Sequence, residues 1–248
     1  MNKNYNYFVN YLNQNQHKKN IKVLDFGAGV GKLLDILIEN GIDAYGVDIN
    51  HTNNKIKYLN NELIKNNRLS IIPENNKLPY DDEEFDVVIS NMVFEHVFNI
   101  EFVLNEISRV LKKNGLIYLR FPSYEILREG HTGIPLTHRF KSKKILKAYM
   151  QLAYSIGFGI NRNLHGDKDE WVDHMMDYLE YKTIYRKYKD LRKIFSKFEI
   201  THKEIDFLKL NFIDNKFISY ILNTPFKKIL IYTYKKYVTM DFELKKLI

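Results

Sequence analysis

The most constraining feature of the sequence is a glycine-rich segment that follows a short apolar run. Residues 23–26 (VLDF) are apolar except for Asp25, and Gly27, Gly29 and Gly31 follow at intervals of two before a stretch with helical periodicity. Glycines let the backbone turn sharply and approach a ligand closely, while the start of a helix offers unpaired N–H groups. The segment therefore predicts a strand–turn–helix unit with a ligand at the turn.

Further segments alternate between strand and helix patterns. Residues 44–47 and 85–90 are short apolar runs, whereas residues 52–65 and 100–113 repeat apolar side chains at helical spacing. Continuous apolar strands separated by helices are typical of parallel sheets covered on both faces. We therefore predict an α/β fold, namely a Rossmann-like doubly wound sheet that is mostly parallel, with an antiparallel C-terminal edge strand and an inserted cap.

The same patterns divide the chain into four parts. We expect an N-terminal helix in residues 1–20, a ligand-binding Rossmann-like core in residues 21–122, an inserted substrate cap in residues 123–189, and strands and a helix that complete the core in residues 190–248. The cap is inferred because the alternation lapses there for longer than an ordinary connection. Within the last part, residues 198–210 alternate in polarity and predict one long strand.

Composition excludes several chemistries. The chain has 248 residues and no cysteine, so disulfides, thiolate metal sites and cysteine nucleophiles are excluded. Its N-terminus is polar and it has no run of about 18 apolar residues, so we expect a cytoplasmic protein without a transmembrane segment. The net charge of +8 comes from scattered lysines, which we interpret as a solvated surface; a nucleic-acid partner is not expected. The oligomeric state stays open.

The residues around the glycines indicate the type of ligand. A dinucleotide site requires G-x-G-x-x-G, but this chain has G-x-G-x-G with Asp25 before it. An acid at this position repels pyrophosphate and suits a ligand with ammonium and sulfonium groups. Asp48, 17 residues after Gly31, follows the next apolar run, where a carboxylate can bind both hydroxyls of a ribose. Taken alone, Asp48 is equally compatible with a helix N-cap.

These segments resemble the class I S-adenosylmethionine-dependent methyltransferases, within them the group that has LPF, FD and EH motifs in this order. The resemblance covers about the first half of the chain, in residues 23–32, 45–50, 71–97 and 111–123. It implies the fold predicted above and S-adenosyl-L-methionine as the cofactor. A segment around His131 is similar to methyltransferases of surface-polysaccharide biosynthesis clusters.

The resemblance also assigns cofactor contacts. It places the glycine turn at the methionine part, Asp48 at the ribose, and Ile49 against the adenine. Glu74, which stands where the family commonly has Asp, would meet the adenine amino group; without the family it is a solvated loop acid. The positions assigned to the cofactor are Asp25, Gly27, Gly29, Gly31, Asp48, Ile49, Glu74, Asn75 and Asn91.

The residues after the fourth strand bear on the acceptor. Amino methyltransferases that act on nucleobases have Asn/Asp-Pro-Pro-Tyr/Phe there, whereas this chain has Ser-Asn-Met-Val at residues 90–93. The difference argues against DNA base methylation. We therefore predict O-methylation of a small-molecule or sugar-nucleotide acceptor, a precursor of a surface polysaccharide. The alternatives are an RNA or protein methyltransferase, suggested by the positive charge, and a non-catalytic cofactor-binding partner subunit.

Two histidines are candidates for the catalytic step. Transfer to a hydroxyl requires loss of its proton, and without cysteine the candidate bases are histidines and carboxylates. His131 lies in a Gly- and Pro-containing loop after the fifth strand and is predicted as the base, with a turn-capping role as the alternative. His96, after the fourth strand, is predicted to support it or to be structural. Arg128, His138 and Arg139 flank the loop and would suit an acceptor phosphate or carboxylate.

A group of acids and histidines in the predicted cap raises the question of a metal. Its spacing matches neither H-E-x-x-H nor a facial triad, so no metal site is expected there. The members of this group are His165, Asp167, Asp173, His174 and Asp177.

Overall fold

The computed structural model describes residues 3–14, 21–49, 61–164, 166–212 and 214–246. Seven strands form one sheet in this part of the chain. They are β1 (Lys22–Phe26), β2 (Asp43–Ile49), β3 (Leu69–Ile72), β4 (Phe85–Asn91), β5 (Leu111–Phe121), β6 (Phe198–His202) and β7 (Met240–Lys246). Their order across the sheet is β3-β2-β1-β4-β5-β7-β6.

The direction of the strands confirms the expected fold class. Strands β1 to β5 pair in parallel, and β7 runs antiparallel to both of its neighbours, β5 and β6. The outermost strand on that side is β6, so the antiparallel strand lies one position in from the edge. Strand order reverses between β1 and β4, and in open α/β sheets ligands bind at the carboxyl ends of the strands at such a point.

Helices cover both faces of this sheet. None of the helices in the described residues has the length and apolar character needed to cross a membrane. Residues 52–60 of the helix expected at residues 52–65 lie outside the described residues, and the end of that helix is α3. The ten described α-helices are α1 (Lys3–Gln14), α2 (Lys32–Glu39), α3 (Asn61–Lys65), α4 (Ile100–Val110), α5 (Lys143–Ser155), α6 (Lys168–Tyr181), α7 (Tyr188–Ile194), α8 (Glu204–Asn211), α9 (Lys216–Leu222) and α10 (Lys227–Tyr237).

The prediction of one long strand over residues 198–210 is wrong. Strand β6 ends at His202, and the rest of this stretch forms α8. Phe207 and Leu208 are consecutive and both buried, which a strand cannot achieve on one face because successive side chains point to opposite sides. In the helix both pack towards α1, where the rings of Phe207 and Tyr7 are 5.1 Å apart.

Apolar side chains form a separate small cluster between α5 and α6. Trp171, Met150 and Ile134 are fully buried in it, and Trp171 Nε1 donates a hydrogen bond to the carbonyl of Ile160 at 3.0 Å. The two larger clusters lie in the sheet and its covering helices. We retain residues 123–189 as the proposed cap, since α5 and α6 bury a core of their own.

Candidate active site

The glycine segment forms the turn between β1 and α2. Gly27, Gly29 and Gly31 have φ angles of 81°, 57° and 87°, the left-handed region in which a side chain is strained. Gly27 has a second constraint, because a Cβ atom there would lie 2.2 Å from Cγ2 of Val93. The turn therefore requires glycine and packs directly against the chain that follows β4.

Two carboxylates lie at this turn. Asp48 Oδ2 accepts a hydrogen bond from the main-chain nitrogen of Gly29 at 2.5 Å, and its Oδ1 accepts one from Ile49 at 2.7 Å. Asp25 is buried in β1; burial raises the pKa of its carboxyl to about 7, and the negative charge of Asp48 adds to the shift. Two neighbouring acids of this kind favour a ligand that carries positive charge.

The other predicted adenine contacts follow neighbouring strands at the same end of the sheet. Ile49 is opposite Ile72 in the pairing of β2 with β3, and Glu74 and Asn75 come two and three residues later, both exposed. The side chain of Asn75 accepts a hydrogen bond from the main-chain nitrogen of Lys77 at 3.0 Å, within the loop. Ile49 is 48% exposed and offers an apolar surface for a flat ring.

Asn91 ends β4 with an unsatisfied side chain. Its Oδ1 and the Oγ of Ser90 are buried and have no hydrogen-bond partner among the described residues. Buried polar atoms are normally paired, so an acceptor without a partner at the strand end indicates a place for a ligand. The next residue, Met92, has φ 58°, and its nitrogen donates to the carbonyl of Arg120 at 2.7 Å.

A cavity of about 170 Å³ opens at the carboxyl ends of β4 and β5. Residues directly after these strands contribute to it, next to Val93, which packs on the glycine turn. The position is therefore suited to an acceptor that must meet a ligand of the glycine turn. The cavity is lined by Met92, Glu95, Pro122, Ile126, Arg128, Gly130, His131, Tyr185 and Val238.

His131 is held in this cavity by a buried carboxylate. Its Nδ1 donates a hydrogen bond to Oε1 of Glu129 at 2.7 Å, and the hydroxyl of Tyr185 donates to the same oxygen at 2.5 Å. Burial alone raises the pKa of Glu129, but the hydrogen bonds from His131 and Tyr185 outweigh it, and the pKa falls to about 2. With the ring proton on Nδ1, the lone pair of His131 lies on Nε2.

His96 and Glu95 lie beside His131. The rings of His96 and His131 are 5.0 Å apart, and Nδ1 of His96 donates to the carbonyl of Lys182 at 2.6 Å. Glu95 is 1% exposed, and neither of its carboxylate oxygens has a hydrogen-bond partner among the described residues. Burial raises the pKa of Glu95 to about 7. The structure thus brings the two predicted catalytic histidines together and adds an acid that the sequence analysis did not select.

The one-turn helix Phe94–His96 is held by the segment after α6. Arg186 donates hydrogen bonds to the carbonyls of Phe94, at 3.1 Å, and Phe98, at 3.0 Å, and the nitrogen of Ile184 donates to the carbonyl of Glu95 at 2.7 Å. These contacts join chain segments almost 90 residues apart. Glu95, Glu129 and Arg186 were not predicted from the sequence; the only local signal was an acid two residues before His131.

The basic residues expected to bind an acceptor anion are largely used within the protein. Arg139 donates to the main-chain carbonyl of Glu125 at 2.6 Å, and Nε2 of His138 donates to that of Tyr124 at 2.8 Å. Burial lowers the pKa of His138 and so favours its neutral form. Arg128 lines the cavity while its Nε donates to the carbonyl of Gly133 at 3.1 Å. Of the three, Arg128 is the one placed at the cavity.

The acidic group in the predicted cap is spread over other roles. Asp167 caps α6 by accepting hydrogen bonds from the nitrogens of Asp169 and Glu170, and Asp173 pairs with Lys147 at 2.6 Å. His165 lies outside the described residues. A different trio, Glu95, His96 and His131, offers one potential ligand atom each within 4.8 Å of one another.

The segment that contains the glycine turn and the strand end at Asn91 is similar to a known protein family. A family model described as a methyltransferase domain matches residues 24–119. These residues are a methyltransferase domain. The match includes the glycine turn, Asp48 and the start of the cavity at Met92 and Glu95, and S-adenosylmethionine is the cofactor of the domain.

Relatives of the methyltransferase domain differ in their acceptors. The ubiquinone biosynthesis O-methyltransferase of Pelagibacter ubique is 35% identical over 106 residues, which are 41% of this chain and 42% of that protein. The chain thus aligns with less than half the length of this relative. A phosphoethanolamine N-methyltransferase 2 of Haemonchus contortus, solved with S-adenosylhomocysteine, has a TM-score of 0.52 at 13% identity, over 98% of this chain and 53% of that one.

The fold itself extends over nearly the whole chain. A SAM-dependent methyltransferase from Archaeoglobus fulgidus has a TM-score of 0.51 at 14% identity, over 98% of this chain and 94% of that one. At this identity the likeness concerns the fold alone. The domain match and the sheet order together confirm the expectation of a class I S-adenosylmethionine-dependent methyltransferase fold.

The residues at the glycine turn fit this cofactor. Its ammonium group would bring positive charge beside the neighbouring acids Asp25 and Asp48, and the carboxylate of Asp48 lies at the end of β2, where it could accept a hydrogen bond from a ribose hydroxyl. The unsatisfied Oδ1 of Asn91 lies at the adjoining strand end. The methyltransferase domain therefore has negatively charged groups, hydrogen-bond acceptors and an apolar surface at one end of the sheet, as this cofactor requires.

Proposed function

We propose that the protein is an O-methyltransferase that transfers the methyl group of S-adenosylmethionine to a hydroxyl held in the cavity beside the glycine turn. The observation that carries this proposal is the pair His131 and His96, whose rings are 5.0 Å apart at the ends of β4 and β5. Amine acceptors need no such group once neutral, whereas a hydroxyl must lose its proton during transfer.

The division of labour follows from the positions of the residues. Asp25, the glycine turn, Asp48, Ile49 and Asn91 hold the cofactor, which supplies a methyl group activated on a sulfonium. Met92 and Tyr185 line the cavity that receives the acceptor. His131, with His96 beside it, prepares the hydroxyl, and Glu129 fixes the ring of His131 with Nε2 as the atom that meets the acceptor.

For the acceptor we propose a hydroxyl of a sugar or sugar nucleotide destined for a surface polysaccharide. Its support is the His-x-Gly-x-Pro segment at residues 131–135 and the placement of Arg128 at the cavity, where a guanidinium can bind a phosphate. The name of the Pelagibacter ubique relative adds a precursor of ubiquinone as a second acceptor to assay. Both acceptors carry the hydroxyl that the proposal requires.

The test is a transfer assay with methyl-labelled cofactor. The purified protein is incubated with nucleotide sugars, a ubiquinone precursor, RNA and protein fractions. Base treatment of the products then hydrolyses methyl esters, and cation exchange at acidic pH separates methylated amines from methyl ethers. Label in a stable ether, lost in His131→Ala, supports the proposal. Label that appears only in amines, RNA or protein contradicts it.

A further inference from the structure

Three side chains at the cavity are of the types that bind metal ions, and one of them, Glu95, has no role in the proposed function. Glu95, His96 and His131 each offer a ligand atom within 4.8 Å of the others. Glu95 is nine-tenths or more buried, and both of its oxygens lack a hydrogen-bond partner among the described residues. A buried carboxylate in this state costs free energy unless a cation or donor pairs with it.

The Nδ1 atoms of the two histidines make the hydrogen bonds that are typical of metal-binding histidines. Nδ1 of His96 donates to the carbonyl of Lys182 at 2.6 Å, and Nδ1 of His131 donates to the carboxylate of Glu129 at 2.7 Å. Histidines that bind metals almost always donate their other ring N–H to a carbonyl or carboxylate, which fixes the tautomer and the orientation of the ring. Both rings therefore carry their lone pair on Nε2.

The local charge also favours a cation. Glu95 and Glu129 are both buried at this cavity, and no lysine or arginine forms a salt bridge with either of them in the described part of the chain. Within the described residues Glu129 pairs with His131, which is charged only when protonated. A divalent ion at the trio would supply the missing positive charge without protonating either carboxylate.

We infer that Glu95, His96 and His131 hold a divalent transition-metal ion that binds the hydroxyl of the acceptor. Two imidazoles and one carboxylate with open positions suit Mn²⁺, Fe²⁺, Co²⁺ or Zn²⁺, whereas Mg²⁺ and Ca²⁺ prefer oxygen ligands alone. The trio was not visible in the sequence because His131 lies 35 residues after His96.

This inference rests on the proposed function and specifies how the hydroxyl is prepared. A hydroxyl bound to the ion becomes more acidic, and its proton leaves to water. The oxygen then forms the bond to the methyl carbon while the carbon–sulfur bond breaks, and the sulfur keeps that electron pair as a neutral thioether. His131 is a metal ligand in this scheme, in place of the base predicted from the sequence.

The first experiment measures binding without reference to activity. Metal-free protein is titrated with Co²⁺, and the visible absorption bands and calorimetric affinity are compared among the wild type, Glu95→Gln, Glu129→Gln and His174→Asn. His174 is an exposed histidine on α6 outside the trio and serves as the matched control. We expect at least a tenfold loss of affinity in Glu95→Gln, about a 10- to 100-fold loss in Glu129→Gln, and none in His174→Asn.

The outcomes separate this inference from the proposed function. Affinity for the cofactor, measured by calorimetry, verifies that each variant is folded. Equal Co²⁺ binding by the wild type and Glu95→Gln overturns the metal site, and so does full turnover of wild-type protein after treatment with a chelator, which leaves His131 as the base. If the Co²⁺ site depends on Glu95 but no hydroxyl is methylated with the metal present, the metal site stands and the proposed function fails.

Discussion

The carboxylate of Glu129 accepts two kinds of hydrogen bond from His131. One comes from the main-chain nitrogen of His131 at 3.0 Å and the other from its ring Nδ1 at 2.7 Å. Because the same carboxylate accepts hydrogen bonds from the backbone and from the ring of His131, it fixes the orientation of the imidazole. The relationship holds whether His131 acts as a base or as a metal ligand, because both roles need the lone pair on Nε2.

The first prediction concerns this pair. Glu129→Gln keeps the volume but weakens control of the His131 tautomer, so we expect kcat to fall by about 10- to 100-fold. Loss of the ring in His131→Ala should lower kcat by about 10²- to 10⁴-fold. Steady-state kinetics measure both effects, and calorimetry should find the cofactor affinity of each variant within about twofold of the wild type.

Tyr185→Phe provides the matched control. It removes one hydrogen bond to Glu129 but leaves the contact between Glu129 and His131 in place. A hydrogen bond to a charged group contributes about 1.5–3 kcal/mol, part of which water can replace at this cavity. The loss of turnover should therefore be smaller than in Glu129→Gln; an equal or larger loss would show that orientation of His131 by Glu129 is not the controlling contact.

The second prediction concerns Asp25 and pH. Burial, with the charge of Asp48, raises the pKa of Asp25 from 3.8 in its ordinary state to about 7 in the folded protein. Between these values the folded state binds more protons than the unfolded state, so the free energy of unfolding falls as pH rises. A shift of about three units corresponds to on the order of 4 kcal/mol by pH 8.

Asp25→Asn removes this titration. In the absence of cofactor, the variant should be more stable than the wild type at pH 8, and the difference should shrink at pH 5, as measured by urea denaturation. Cofactor affinity should change in the opposite direction, because the ammonium group loses its carboxylate. A stability difference that does not depend on pH would mean that the folded protein does not hold Asp25 protonated.

The third prediction concerns Gly27. Gly27→Ala adds a Cβ at φ 81°, 2.2 Å from Cγ2 of Val93, whereas Gly41→Ala adds one at φ 77° with no atom within 4 Å. Both variants have a backbone strain of about 1–2 kcal/mol, but only Gly27→Ala adds a steric clash with Val93. We expect Gly27→Ala to lose at least tenfold in cofactor affinity and Gly41→Ala to keep it.

A double variant isolates the clash. Val93→Ala removes both Cγ atoms that a Cβ at position 27 would meet. Gly27→Ala with Val93→Ala should therefore recover part of the stability lost in Gly27→Ala, measured by denaturation, but not the part due to backbone strain. Identical stability of the single and double variants would place the whole effect in the backbone.

Features that depend on neighbouring residues could be predicted from the sequence, whereas those that depend on distant contacts could not. The glycine turn and Asp48 were predicted because each lies within or just after a strand whose residues are contiguous. The helix α8 was missed because alternating polarity over residues 198–210 mimics a strand, and only contact with α1 shows that Phe207 and Leu208 share one face.

Glu95 illustrates the limit within the site. Its neighbour His96 was selected as a candidate, but an acid in a loop is normally solvated, and its burial here results from the segment around Ile184 and Arg186, almost 90 residues later. The pairing of Glu129 with Tyr185 has the same origin, since the two are 56 residues apart. Local sequence shows which residue types are present, whereas burial and pairing are set by distant contacts.

The fourth prediction concerns a buried ion pair between Arg120 on β5 and Asp241 on β7, which are opposite each other in the sheet. Asp241 on β7 is 0% exposed and accepts hydrogen bonds from the hydroxyl of Tyr118 at 2.9 Å and from Arg120 at 3.4 Å. The guanidinium of Arg120 also lies 3.3 Å from the ring centroid of Phe207. Arg120→Met keeps much of the apolar contact but leaves the charge of Asp241 without its partner, which should cost about 3–5 kcal/mol.

The pH dependence of that loss tests its cause. Burial already raises the pKa of Asp241 to about 6, and removing Arg120 should raise it further. Because a protonated Asp241 no longer needs a cation, the destabilisation measured by urea denaturation should be smaller at pH 5 than at pH 8. Adding Asp241→Leu to Arg120→Met should restore stability at pH 8. A loss that is equal at both pH values, and that remains in the double variant, would assign it to packing on Phe207 instead of to the unpaired charge.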